Sequence, residues 1–209
     1  MKIDKGLRKV SAQGVETQKK IVEISDDLFY RQGYEHTSFT NIAAIVGISK
    51  GNFYHHFKTK NQILSAVIEY RKEKTQKMLQ EWESISSDEV QRIKCFINIL
   101  IKNKAKIKHY GCPVGTLTTE LQKLDHSAHK HAVEVFELFK SWITEQLNLL
   151  GVADAAEQIS LHLLARSQGI ATVYNAMKDE HFLKAEVELL ERWVDEQIEK
   201  NNSKATNPK

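Results

Sequence analysis

The chain contains only two prolines among its 209 residues, and this scarcity limits what it can fold into. Pro208 lies next to the C-terminus, so Pro113 is the only proline in the interior of the sequence. Because proline interrupts helices, long apolar patterns without it favour helices almost throughout. Alternating stretches rich in Val, Ile and Thr, which are typical of strands, are missing. The sequence therefore predicts an all-α fold.

The composition is typical of a globular protein with a sizeable core. Apolar residues make up 41% of the chain and charged residues 27%. No stretch approaches the roughly 20 apolar residues of a membrane span, and the first ten residues lack the apolar segment of a secretory signal. Two cysteines, Cys95 and Cys112, are too few for a disulfide framework. We therefore expect a cytoplasmic protein without a membrane partner.

Positive charge is concentrated near the N-terminus. Residues 1–60 carry 10 basic and 6 acidic side chains, whereas residues 61–209 carry 20 and 21. A polyanionic partner such as nucleic acid would favour this distribution.

Apolar residues recur with helical spacing in about nine segments. Their approximate ranges are 16–32, 40–46, 49–57, 60–83, 88–108, 116–123, 127–150, 154–177 and 180–200. Thr40 is the expected N-cap of the second segment and Ser49 that of the third, because hydroxyl side chains satisfy free N–H groups at a helix start. The aperiodic ends of the chain are expected to be a flexible arm and a disordered tail.

The second and third segments have the spacing of a helix-turn-helix. Two short helices that cross steeply need a small residue at the crossing and a conformationally permissive residue in the turn. Ala43 and Gly47 fit these two requirements. Phe53 and Phe57 are four residues apart and share one face, so both rings can hold the second helix against the first.

The outer face of that second helix is basic and aromatic. With the two phenylalanines inward, the residues left outside are Lys50, Gly51, Tyr54 and His55, and no acidic residue occurs in 49–60. An α-helix fits the DNA major groove, where Gly51 would allow close backbone approach and Tyr54 could contact a thymine methyl group or a phosphate. Lys58 and Lys60 flank the next helix start and suit phosphate binding. A purely solvated helix would explain the inward rings but not this outer face.

The stretch TSFTNIAAIVGISKGNFYHHFKTKNQIL (37–64), preceded by IVEISDDLFYRQGYEHTS (21–38), resembles the DNA-binding domain of tetracycline-repressor (TetR) family regulators. This resemblance implies an all-helical homodimer. Three N-terminal helices would bind DNA, and the remaining helices would form an effector pocket and a dimer interface.

The resemblance also implies which residues contact double-stranded DNA. Ser38 and Thr40 would contact phosphates, and Lys60 would contact a further phosphate at the head of the fourth helix. The predicted set is Ser38, Thr40, Ser49, Lys50, Gly51, Tyr54, His55, His56, Lys58 and Lys60. Asn41 and Val46 replace the aspartate and alanine often found in the family, which should alter local capping and packing without removing DNA binding.

We predict five regions along the chain. They are a basic flexible arm (1–14), a helix-turn-helix DNA-binding domain (15–60), a connecting helix (61–84), an effector-binding and dimerisation domain (85–200) and a disordered tail (201–209).

Two amphipathic helices within about 154–199 are expected to join two subunits as a four-helix bundle. The predicted interface residues are Leu161, Leu164, Ala165, Ile170, Leu189, Leu190 and Val194. Charged faces that include Glu186, Glu188 and Glu191 should remain outside, and Gly169 should mark a close approach of the helices.

Several residues of the second half could line an effector pocket, although at helical spacing such residues are more often plain core. The candidates are Trp82, Tyr110, Cys112, Phe136 and Phe139. Cys112 is also a candidate sensor of oxidants or electrophiles, a role that some family members have. The alternative is a small residue in a turn that Pro113 makes rigid, and Cys95 is interpreted as packing.

The segment DHSAHKH (125–131) could supply metal ligands, because His126 and His129 share a helix face. His129 and His131 do not face each other, so we expect solvated surface, and neither a metal nor a cofactor.

Motifs of common enzymes are missing from the sequence, including GxSxG, a phosphate-binding glycine loop and HExxH. The sequence therefore does not predict an enzyme. The resemblance to the TetR family implies a repressor that binds a palindromic operator as a dimer and is released by a small-molecule effector of unknown identity. The alternatives are a cysteine-based redox sensor and a helix-turn-helix protein without an effector. The long C-terminal part argues against the last of these.

Overall fold

The computed structural model describes residues 12–206, and these residues form ten α-helices and one short 3-10 helix. The helices are α1 (Ala12–Gln32), α2 (Phe39–Val46), α3 (Lys50–His56), α4 (Lys60–Ile85), α5 (Glu89–Lys102), α6 (Lys104–Tyr110), α7 (Pro113–Lys123), α8 (His129–Leu149), α9 (Ala156–Met177) and α10 (Glu180–Thr206). The 3-10 helix, Ala153–Ala155, precedes α9. The predicted all-α class is confirmed.

Both ends of the described chain are more helical than the sequence predicts. Helix α1 begins at Ala12, inside the range predicted as a flexible arm, and residues 1–11 lie outside the described part. Helix α10 continues to Thr206, so the predicted disordered tail is helical over 201–206, and 207–209 lie outside the described part. A helix can extend past its buried stripe because each added residue gains a backbone hydrogen bond.

The segment predicted as one helix over about 88–108 is two helices. Asn103 ends α5 and begins α6, with its carbonyl group accepting hydrogen bonds from the N–H groups of Lys106 and Ile107. Pro113 is the first residue of α7, which therefore begins earlier than the predicted position 116. Proline is tolerated at that position because the first N–H group of a helix has no intrahelical partner.

The chain divides into two compact units whose boundary lies within α4, between Tyr70 and Arg71. The N-terminal unit thus includes the first part of α4, whereas the sequence placed the end of the DNA-binding domain at residue 60. The physical reason is burial: Ile63, Leu64 and Val67 of α4 are fully buried, and all three lie before the boundary.

The C-terminal unit is a helical assembly with one apolar core. Helix α8 packs on α9, and α10 packs on both α5 and α9. Ion pairs such as Lys94–Asp195, at 2.8 Å, connect α5 to α10 at the surface. In the described part of the chain, no helix combines the length and the apolar character that crossing a membrane requires.

Some of the residues predicted to join two subunits are buried inside the C-terminal unit, and the others are exposed on its surface. Four of its residues are buried in the subunit's own core, namely Leu164, Ile170, Leu190 and Val194. Leu161, Ala165 and Leu189 are exposed. The sequence prediction was wrong for the four buried residues, because helical spacing identifies an apolar face but not whether that face meets its own core or a partner.

Tyr174 of α9 is the largest fully buried side chain of the described residues. Its hydroxyl group has no hydrogen-bond partner there, although the neighbouring Asn175 donates to the carbonyl group of Ile107 at 2.9 Å. An unsatisfied buried hydroxyl group opposes folding, so Tyr174 contributes less stability than phenylalanine would.

We expect Tyr174→Phe to leave the free energy of unfolding unchanged or raise it by about 1 kcal/mol, because it removes an unpaired polar atom from the core. Tyr34→Phe is the matched control, since the Tyr34 hydroxyl donates to Asn61 Oδ1 at 2.8 Å; it should lose about 1 kcal/mol. Urea titrations measure both. A similar loss in Tyr174→Phe would show that the Tyr174 hydroxyl is hydrogen-bonded in solution.

Candidate nucleic-acid interface

Helix α2 begins where a serine satisfies its first turn. The Ser38 hydroxyl accepts a hydrogen bond from the N–H group of Asn41 at 3.1 Å. The predicted cap, Thr40, instead lies inside the first turn of α2 and is exposed. The sequence analysis did not include Phe39 in the helix and therefore placed the cap at Thr40. Phe39 is the first residue of α2, so the cap is the residue before it, Ser38. For α3 the predicted cap is confirmed: Ser49 accepts from the N–H group of Asn52 at 3.2 Å.

The turn between α2 and α3 depends on Gly47. Its φ angle is +80°, in the left-handed region, and its N–H group donates to the carbonyl group of Ala43 at 3.0 Å. Ala43 is buried, as the predicted small residue of the helix crossing should be. A Cβ atom at Gly47 would have no neighbour within 4 Å, so the need for glycine here is conformational rather than steric.

Aromatic packing orients α3. Phe53 and Phe57 are both buried, as predicted, but Phe57 is the extended C-cap residue after α3 and does not share a helix face with Phe53. The Phe53 ring centroid lies 5.1 Å from that of Phe39, and Phe39 also meets the Tyr54 ring edge-on at 5.3 Å. Tyr54 is still 45% exposed. Phe39 therefore positions an outward-facing tyrosine, a role that the sequence analysis did not assign to it.

Most of the residues predicted to meet DNA are exposed, either on α2 and α3 or directly beside these helices. The exposed members are Ser38, Thr40, Ser49, Lys50, Gly51, Tyr54, His55 and Lys58, whereas His56 and Lys60 are half-buried. A Cβ atom at Gly51 would meet nothing closer than the Ser49 hydroxyl oxygen, at 4.0 Å, so the free protein has room for a side chain there. The resulting surface is basic and aromatic, with a local gap at Gly51.

His55 and His56 lie at the C-terminal end of α3, with ring centroids 5.8 Å apart. Partial burial lowers the pKa of His56 below its usual value, and the neighbouring His55 lowers it further. The lowered pKa disfavours the protonated form of His56 in the free protein, whereas a nearby phosphate would favour it.

The start of α4 has a reciprocal cap that the sequence analysis missed. The Thr59 hydroxyl accepts from the N–H group of Gln62 at 3.2 Å. The Gln62 side-chain oxygen accepts from the N–H groups of Thr59, at 3.3 Å, and Lys58, at 2.8 Å. The spacing T-x-x-Q before an apolar run is the signal that could have identified it.

Three lysines of the basic N-terminal part donate hydrogen bonds to backbone carbonyl groups, and one of them is Lys58, which donates to the carbonyl group of Tyr54. Lys20 donates to the carbonyl group of Val46 at 3.0 Å, where a cation complements the C-terminal end of α2. The Lys60 ammonium group donates to the carbonyl group of Glu35 at 2.9 Å. Lys20 was not predicted as functional, and nothing in its local sequence distinguishes it from a solvated lysine.

The predicted effector-pocket residues lie in or against the core of the C-terminal unit. Trp82 and Phe139 are buried, with Trp82 edge-on to Trp142 at 5.5 Å and Phe139 at 5.4 Å from Phe96. The half-buried members of the set are Tyr110, Cys112 and Phe136. These contacts account for Trp82 and Phe139 as core residues, and a pocket role stays a prediction.

The cysteine and histidine candidates have local partners. Cys112 Sγ accepts from Gln168 Nε2 at 3.4 Å, and Cys95 is half-buried and packs against the core. His126 Nδ1 accepts from the N–H group of Ala128 at 3.0 Å, and His131 lies 3.0 Å from Glu134. Within the described ranges, no three His, Cys, Asp or Glu side chains converge as metal ligands.

Comparison with known proteins agrees with this architecture. Residues 21–67 match the family model described as bacterial regulatory proteins, tetR family. The chain is 30% identical over 179 residues to an uncharacterized HTH-type transcriptional regulator in the lacX 3′ region of Lactococcus lactis, covering 83% of this chain and 91% of the relative. It is 23% identical to the HTH-type transcriptional regulator TtgR of Pseudomonas putida, covering 90% and 93% of the two chains.

Solved structures show the same fold. A TetR transcriptional regulator from Legionella pneumophila superposes with a TM-score of 0.74 at 21% identity, covering 89% of this chain and 98% of that one. The fold and the helix-turn-helix define a DNA-binding transcription regulator rather than an enzyme. The chain belongs to the tetR family of bacterial regulatory proteins.

We expect Gly47→Ala and Gly51→Ala to affect stability in opposite directions. Alanine at Gly47 must adopt a positive φ, which should lower the free energy of unfolding by roughly 1–2 kcal/mol. Alanine at Gly51 lies within a helix with open space around it and should raise the free energy by up to about 0.5–1 kcal/mol. Denaturant titration of both variants measures this. Equal effects would contradict the assigned turn.

Proposed function

We propose that this protein is a ligand-responsive transcriptional repressor that binds a palindromic operator as a homodimer and is released by a small-molecule effector. The observation that carries the proposal is the outer face of α3. Lys50, Gly51, Tyr54 and His55 are exposed together there, on a helix whose opposite side is anchored by the buried Phe53.

In this proposal, α3 enters the major groove of double-stranded DNA. Lys50 and Tyr54 meet base edges or nearby phosphates, and the missing side chain at Gly51 lets the backbone approach the duplex. Ser38, Thr40 and Lys58 flank this face and contact phosphates, which sets the register of α3 in the groove.

Dimerisation would use the exposed stripe of α9. Leu161, Ala165, Gly169, Thr172 and Ala176 are all exposed, and their spacing of three and four residues places them on one face. Four of these residues are small, so a second copy of α9 can approach closely, as in other bundles with small residues at the crossing. A dimer carries two copies of α3, and a palindromic operator offers two half-sites about 34–36 Å apart.

An effector is proposed to act in the C-terminal unit. Helix α4 runs from Lys60 to Ile85, and the boundary between the two units lies within it. In this proposal α4 is the element whose displacement would affect DNA binding. The effector must prefer the state that binds DNA poorly, and a coupling of about 1–3 kcal/mol would weaken operator affinity by roughly 5–150-fold.

The DNA-binding proposal predicts that Gly51→Ala weakens operator binding although it does not destabilise the fold. A methyl group on this face should separate the backbone from the duplex, and roughly a tenfold loss corresponds to about 1.4 kcal/mol. The loss is measured by fluorescence anisotropy with the palindromic DNA that flanks the gene. Ala44→Gly, at an exposed position of α2, is the control for the effect of an Ala/Gly exchange on a neighbouring helix. Unchanged operator affinity in Gly51→Ala would contradict the docking of α3.

The dimer proposal predicts that Gly169→Trp produces monomers. The position is exposed, and a Cβ atom there meets nothing within 4 Å in the isolated subunit, so the subunit can still fold. Glu145→Trp, on an exposed position of α8, is the matched control and should remain dimeric. Light scattering at micromolar concentration measures the mass. A monomeric parent protein, or a dimeric Gly169→Trp variant, would contradict the proposed interface.

A further inference from the structure

Helix α10 carries a second apolar stripe in addition to the one that faces the core of its own unit. The core-facing residues are buried, namely Leu183, Val187, Leu190, Val194 and Ile198. Four other apolar residues of α10 follow one another at spacings of three and four and are exposed or half-buried, namely Phe182, Ala185, Leu189 and Trp193. Residues at this spacing share one face of a helix. Helix α10 therefore resembles α9 in presenting apolar side chains away from the core.

Two side-chain contacts connect α9 to α10 beside these stripes. Arg166 Nη2 of α9 lies 2.8 Å from Glu186 Oε2 of α10. One turn earlier on α9, the His162 ring packs on Trp193, with ring centroids 4.2 Å apart and planes inclined by 30°. His162 directly follows Leu161, the first residue of the exposed α9 stripe, and Trp193 is the last residue of the α10 stripe. The His162–Trp193 pair thus lies where the two stripes meet.

The His162 side chain is exposed, although the indole ring of Trp193 covers part of it. In water the protonated ring is tolerated at such a position, because a cation near an indole ring is attracted by the ring quadrupole and its N–H groups still reach solvent. Histidine changes its charge between about pH 5 and pH 8, so its state near neutral pH depends on its surroundings. Covering the pair with protein would remove the water on which the charged ring depends.

The charged groups on the helices around His162 are balanced in sign. Three ion pairs account for most of them, namely Arg166–Glu186, Lys140–Glu157 and Lys94–Asp195. Glu191 of α10 accepts a hydrogen bond from Asn98 of α5. Arg192 and Glu196 of α10 are exposed and have opposite charges. Covering this surface would therefore act on His162 mainly through lost hydration, which disfavours the charged form of an imidazole ring.

We infer that a second copy of the chain covers the His162–Trp193 pair, and that protonation of His162 therefore weakens the dimer. The inference rests on the proposed homodimer and extends its interface from α9 to α10. A second copy is the occupant because the α10 stripe continues the exposed stripe of α9, and two such helices from each subunit can pack as a four-helix bundle. In a symmetric dimer the pair occurs twice, so two histidines respond to acid together.

The direction of the pH effect follows from the number of bound protons. Because the covered ring disfavours the proton, two separate subunits bind more protons than one dimer does. Lowering the pH therefore favours the separate subunits, and the dissociation constant of the dimer rises as the pH falls through the range in which an exposed histidine titrates. Each of the two protons contributes up to about tenfold per pH unit. Above that range both rings are neutral, and the dimer has its full strength.

Sedimentation velocity at two pH values tests the inference. We expect the dissociation constant of the parent dimer to rise by at least about tenfold from about pH 8 to about pH 5.5. In His162→Gln the dissociation constant should be nearly the same at both pH values. His109→Gln is the matched control, since His109 is exposed on α6, outside both stripes; this variant should respond to pH as the parent does. Circular dichroism checks that the helices persist at the lower pH.

The same measurements separate a failure of the inference from a failure of the proposed function. An equal pH dependence in His162→Gln would overturn the inference, as would a parent dimer that is insensitive to pH or stronger in acid. A parent protein that is monomeric at both pH values would contradict the proposed homodimer, and the inference would fall with it.

A measurement on the parent protein covers the case in which His162→Gln does not fold. NMR follows the ring signals of His162 during pH titrations of a dilute and a concentrated sample. Because dimerisation and protonation oppose each other, the signals should change at a lower pH in the concentrated sample. A change at the same pH in both samples, although the fraction of dimer differs between them, would show that the second copy does not cover the ring and would also overturn the inference.

Discussion

The packing of Phe53 against Phe39 is the contact on which the DNA-facing surface depends. Helix α3 has only seven residues, and a helix of that length is not stable by itself in water. Its orientation therefore comes from burial of one side rather than from intrinsic helix propensity. Once Phe53 is inside, the helical repeat directs Gly51 and Tyr54 away from the core, and Lys50 is exposed in the first turn of α3. Gly47 directly follows α2, and its left-handed backbone conformation lets the chain turn sharply between α2 and α3.

Positive charge in the N-terminal unit has two different uses. Lys50 is exposed on the first turn of α3, whereas Lys20, Lys58 and Lys60 donate to the backbone carbonyl groups of Val46, Tyr54 and Glu35. Backbone carbonyl groups near helix ends carry partial negative charge, so lysines complement them as they would complement a phosphate.

Helix α9 carries apolar residues on two faces, one buried in the core of the C-terminal unit and one exposed. Leu163 and Ile170 are buried in the core, while Leu161 and Ala165 are exposed on the adjacent face. A helix with apolar residues on more than one side is expected where a second protein surface covers it. Tyr174 lies on the buried side of the same helix, and its hydroxyl group has no hydrogen-bond partner among the described residues.

The sequence by itself determined the all-α class, the helix-turn-helix with Gly47 at its turn, and the inward side of α3. These features follow from local rules, namely proline scarcity, glycine conformation and the spacing of Phe53 and Phe57, which act within a few residues. The tertiary structure alone decided that Lys60 meets Tyr34, that Leu164 and Val194 lie inside the subunit, and that the N-terminal unit extends to Tyr70. Those outcomes depend on contacts between residues that are far apart in the sequence, such as Lys60 and Glu35, which are 25 positions apart. Helical periodicity identifies the apolar face of a helix but does not predict which other helix that face will contact.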